Sequence, residues 1–119
     1  MKLLDRIFGW LLVVLVALHC VGTFYFHALL SPIFVQSLSG GIAGFLVAAL
    51  NLLRAGRPLD RPVAILATVG ALAWVAIGIL FGVSIGNPLD PRGLAHAVVA
   101  LALVAFGVRT LASARPGVA

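Results

Sequence analysis

An all-α membrane protein, an antiparallel bundle of four transmembrane helices with both termini in the cytoplasm, is the fold class this sequence predicts. Three observations predict it. Four stretches, about 7–27, 32–53, 62–85 and 91–111, reach the roughly 20 residues that cross a hydrocarbon core about 30 Å thick at 1.5 Å rise per residue. Of the 119 residues, 63% are apolar and only 9% charged, against about a quarter charged in soluble domains. Seven of the eight basic residues, Lys2, Arg6, Arg54, Arg57, Arg61, Arg109 and Arg115, fall on one side of the predicted topology, and Arg92 alone falls on the other. The positive-inside rule then places both ends in the cytoplasm.

Each span has local signals. The first follows Lys2 and Arg6 as the apolar core of a signal peptide would, but it lacks a small-residue cleavage site and three more spans follow, so it reads as a retained helix. The other three open on side-chain acceptors with proline in the first turn: Ser31-Pro32, Asp60-Arg61-Pro62 and Asp90-Pro91. An acceptor at that position bonds the free N–H groups of the first turn, where proline's missing donor costs nothing. Gly56 and the Gly86-Asn87-Pro88 turn supply the exits of the second and third helices. Links this short, about 28–30, 54–61 and 86–93, make consecutive helices antiparallel neighbours in a single domain spanning 1–119. The lone cysteine, Cys20, permits no internal disulfide and no CxxC pair.

Small residues recur at close-packing intervals. Gly70, Gly78 and Gly82 repeat at multiples of four on the third helix, and Gly40 and Gly44 form a GxxxG on the second. Between membrane helices the hydrophobic effect gives no help, so contacts depend on close backbone approach, and these stripes mark helix interfaces within one chain or between copies.

Three histidines dominate the polar inventory. His19 and His27 flank Thr23 on one face of the first helix, with His19 about 12 Å deeper than His27. His96 opens the fourth. Counting depth from the span ends sets His27 and His96 at one level near the outer boundary. That pair fits the two axial ligands of a haem b, or the hydrogen-bond partners of a quinone, whereas His19 with His96 fits poorly. The plain reading of His27 and His96 is interfacial anchoring. His19, an ionisable group inside a span, is a functional candidate in its own right, either as a further ligand or as a proton carrier. With Thr23, Gln36 and Ser84 it would line a polar pathway, for which interhelical hydrogen bonding is the plain alternative.

Several classes are excluded or disfavoured. There is no Ser-His-Asp set, HExxH or phosphate-binding glycine loop, and the chain has no glutamate; its acids are Asp5, Asp60 and Asp90, two of them as helix caps. The net charge of +5 flanks spans without interleaved aromatics, which fits anionic lipid head groups and not nucleic acid. The expectation is therefore a small, non-catalytic protein of the cell membrane, of the bacterial inner-membrane kind, acting as a homo-oligomer or as a subunit of a larger complex. The alternatives are a haem- or quinone-binding redox module on His27 and His96, and a small-solute transporter or channel formed between subunits.

Overall fold

The computed structural model describes residues 2–113, which form four helices: α1 (Lys2–Phe26), α2 (Pro32–Gly56), α3 (Arg61–Ser84) and α4 (Pro91–Ser113). Each is long and apolar enough to cross a membrane, and only 22% to 28% of each apolar window is buried inside the bundle. Most of the hydrophobic surface therefore faces outward, where only lipid or another membrane protein can cover it without cost. Arg115 and Ala119 lie outside the described residues.

The expected acceptors sit where the helices begin. Ser31 Oγ accepts from Phe34 N at 3.2 Å, Asp60 Oδ1 from Val63 N at 3.2 Å, and Asp90 Oδ1 from Arg92 N at 2.9 Å. The Arg92 guanidinium also grips both Asp90 oxygens, at 3.0 and 3.1 Å. This holds the Asp90 carboxyl below its usual range, with Arg92 the largest cause. The exits use left-handed backbone at two places, Gly86 with φ 73° and Leu30 with φ 63°. Glycine takes that conformation freely, while Leu30 adopts it at some steric cost.

Three boundaries differ from the sequence expectation. α1 starts at Lys2 instead of about 7, α2 continues through Arg54 to Gly56 instead of ending near 53, and α4 runs to Ser113. Hydropathy stops at the first charge, but a helix does not, because here the charges bond one another across helices.

α3 packs most closely on α4 and α1 on α2, while α2 meets α3, α1 meets α4, and the α2–α4 diagonal barely touches. Leu12, Val16, Ala48, Ala71, Trp74 and Leu103 fill the centre. Small residues make that closeness possible. A Cβ on Gly44 would meet Val16 and Trp74 side chains at 2.6 and 2.8 Å, and one on Gly82 would meet the Asn87 carbonyl oxygen at 2.9 Å. Gly78 and Gly93 face each other across α3 and α4, each meeting the other's carbonyl oxygen at under 3 Å if given a Cβ. Gly70 meets only the Val47 side chain at ordinary contact distance, and Gly40 lies 4.0 Å from His19 Nε2. The glycines of the stripes that are tight, Gly44, Gly78 and Gly82, thus press against this chain's own elements.

Candidate functional site

Polar side chains gather in two layers separated by the apolar centre. The layer where α1 begins and α2 and α4 end is here termed the base; that where α1 ends and α4 begins is the top.

At the base, Arg54 is the largest fully buried side chain, at 1% exposure. Its guanidinium donates to both oxygens of Asp5 on α1, at 2.5 and 2.9 Å, to Thr110 Oγ1 on α4 at 3.1 Å and to Asn51 Oδ1 at 3.3 Å. Asn51 in turn donates to the Val47 and Ala67 carbonyls at 2.9 and 3.2 Å. One network therefore ties all four helices. The fork of the guanidinium matches a carboxylate face to face, which lysine could not do. Sequence reading counted Arg54 only as a loop charge and Asp5 as a residue outside the spans. The available signal was the 49-residue separation of opposite charges on helices joined by one short link, but nothing in a single sequence shows which of several arginines turns inward.

At the top, the structure reverses the depth arithmetic. The His19 and His96 rings stand 6.4 Å apart, centroid to centroid, nearly perpendicular at 85°. His27 lies beyond the last residue of α1, and among the described residues no side-chain contact joins it to His96. The helix ends at the top stand within a residue of the expected ones, and the difference lies in how far into α4 His96 sits. His96 is five residues past Pro91, about 8 Å down α4, and His19 seven before Phe26, about 10 Å down α1. The expectation that His19 and His96 fit poorly is thereby corrected.

The ring nitrogens have assignable roles. His19 Nε2 donates to the Ser37 carbonyl at 3.0 Å, with Ser37 Oγ at 3.3 Å, while Ser37 and Thr23 hydroxyls are 2.7 Å apart and Thr23 Oγ1 donates to the His19 carbonyl at 3.0 Å. Trp74 Nε1 donates to His96 Nδ1 at 3.2 Å. In the neutral rings this leaves Nδ1 of His19 as an acceptor and Nε2–H of His96 as a donor. His19 is exposed, His96 half-buried and Thr23 buried. Two other residues of the expected pathway are elsewhere: Gln36 is exposed on α2, and exposed Ser84 donates to its own helix at the Phe81 carbonyl, 2.8 Å away. The cluster actually assembled is His19, Thr23, Ser37, Trp74 and His96. Ser37 and Trp74 were missed because a serine beside two other polar residues, and a tryptophan in a glycine-rich apolar helix, carry no signal of what they face.

Comparison with protein-family models, with curated proteins and with solved structures finds no match for this chain.

Proposed function

We propose that the chain is a non-catalytic integral protein of the cell membrane, an antiparallel bundle with cytoplasmic termini, that acts by assembling with copies of itself or with other membrane subunits. The observation that carries this reading is how its intramembrane polar groups are used. Arg54 is bonded to Asp5, Asn51 and Thr110, His19 to Ser37, and Trp74 to His96, so most bonding capacity goes to holding four helices together. The outer faces that remain are apolar, and a bundle of this kind acts on its surroundings through those faces. The orientation is supported by the basic residues at the base, and antiparallel order by the contact of the start of α1 with the ends of α2 and α4 at Asp5, Arg54 and Thr110. Reporter fusions test the orientation: one at Ala119 should report cytoplasm and one inserted at Asn87 the opposite side. Native mass measurement after mild extraction tests assembly. A mass of one chain without any co-extracted protein would sink the proposal of assembly.

A second reading is favoured by one observation, the acceptor and donor left on His19 and His96. A quinone or quinol head group bears matching groups, since a carbonyl accepts from His96 Nε2–H and a hydroxyl donates to His19 Nδ1. The redox alternative thus passes from His27 and His96 to His19 and His96. On this reading His19→Leu and His96→Leu each lower quinone retention on purification by roughly tenfold, the effect of losing one well-placed hydrogen bond of about 1.4 kcal/mol, and His27→Leu leaves it unchanged. Equal retention in all three variants would remove the quinone from this site.

A further inference from the structure

Trp74 and His96 meet in a way that admits only one protonation state. An indole N–H donates and never accepts, so the 3.2 Å bond from Trp74 Nε1 requires a lone pair on His96 Nδ1. Nδ1 is also the position at which a neutral imidazole carrying Nε2–H takes up a second proton. That proton would set N–H against N–H, so the bond and the proton exclude each other. Trp74 is held in place: it is 7% exposed at the centre of the bundle, over Gly44, where an added Cβ would meet its Cζ2 and Cη2 at 2.8 Å. One turn towards the top, Gly78 and Gly93 bring the backbones of α3 and α4 together. The freer partner is the His96 ring, which is only half-buried. Few charges surround it. α1 presents His19, 6.4 Å away between ring centroids; α2 and α3 carry one charged side chain each, Arg54 and Arg61, both at the base; on α4, Arg92 is a turn away and paired with Asp90 at 3.0 Å.

We infer that His96 is a proton-operated latch between α3 and α4. With the ring neutral, Trp74 is tied to it and the top layer is closed. One proton from water, added at Nδ1, removes the acceptor; the Trp74 bond breaks, the His96 ring turns from the indole, and a cation then stands beside His19. No other bond forms or breaks in this step. The charge arises where the closely packed α1–α2 pair faces the α3–α4 pair, so the top layer loosens as the solution acidifies. The bond is complete in neutral solution and is lost as pH falls through the histidine range, between about pH 7 and 5. The latch needs neither assembly nor a quinone, and it works whichever end of the bundle faces the cytoplasm.

The test follows the indole N–H resonances of the full chain in a neutral detergent across the histidine range, from about pH 8 to about pH 5. The chain has two tryptophans, and Trp74→Phe identifies the Trp74 signal by its loss. That signal should shift with a single midpoint between about pH 7 and 5, while the signal of Trp10, exposed on α1 near the base, should stay in place. His96→Asn puts an amide oxygen near the position of Nδ1 and has no proton to gain, so Trp74 should remain bonded and its signal should no longer titrate. His19→Asn should leave the titration in place. Ring-nitrogen chemical shifts of His96 in the unaltered chain give a second readout that depends on no variant: Nδ1 should gain its proton at the pH at which the Trp74 signal moves. A Trp74 signal that is constant over this range, titrates as before in His96→Asn, stops titrating in His19→Asn, or moves at a different pH from the His96 ring overturns the inference.

Discussion

Replacing Arg54 with Met should destabilise the bundle by about 3–5 kcal/mol, the range for removing one partner of a buried ion pair. Methionine fills much of the volume but donates no hydrogen bond. The loss therefore includes the bonds to both Asp5 oxygens, to Thr110 and to Asn51, and it leaves a carboxylate whose side chain is only 13% exposed without the guanidinium that meets both its oxygens. Arg54→Lys should recover little, since an ammonium cannot meet two carboxylate oxygens and two further acceptors in one plane. The informative variant is the double one, Asp5→Leu with Arg54→Met. Uncharged residues of similar volume need no compensating partner, and removing a whole buried pair is often neutral. Thermal unfolding in detergent should thus show a large drop for the single variant and a recovery of most of it in the double. If the double variant is as unstable as Arg54→Met alone, the guanidinium's bonds to Thr110 and Asn51 matter more than its charge pairing.

Arg54 also shows why the fold was legible and the sites less so. Span number follows from hydropathy, which is additive along the chain and needs no knowledge of neighbours. The caps at Ser31, Asp60 and Asp90 are local too, because each acceptor bonds an N–H two or three residues on. Which charges turn inward depends instead on pairing across helices. Asp5 and Arg54 each look like ordinary boundary residues alone, and only their meeting extends α1 and α2 beyond the apolar stretches. The histidines failed for a simpler reason. His27 and His96 are both set at the boundary because each stands near a span end, but five residues past Pro91 already carry His96 about 8 Å down α4, closer to the level of His19 than to that of His27.

Glycine supplies the second large effect, and its sign should change along a single helix. In a helix interior alanine is favoured over glycine by about 1 kcal/mol, so Gly→Ala is stabilising wherever the new methyl finds room. At Gly70 it does: the nearest atom to an added Cβ is a Val47 methyl at 3.5 Å, an ordinary contact, and Gly70→Ala should leave the melting temperature unchanged or raise it slightly. At Gly78 it does not. The added Cβ would stand 2.9 Å from the Gly93 carbonyl oxygen and 3.1 Å from the Ala97 nitrogen. Both are backbone atoms of α4, which cannot swing aside as a side chain can, so α3 and α4 must separate along their shared face. Overpacking of this kind costs about 1–3 kcal/mol, more than the helix preference returns, and Gly78→Leu should cost more than Gly78→Ala. Gly93→Ala should behave like Gly78→Ala because it presses on the same contact from the other side, its Cβ meeting the Gly78 carbonyl oxygen at 2.6 Å. Thermal unfolding of the three alanine variants checks this directly. Equal stability of Gly70→Ala, Gly78→Ala and Gly93→Ala would mean that α3 and α4 do not pack backbone to backbone at this point.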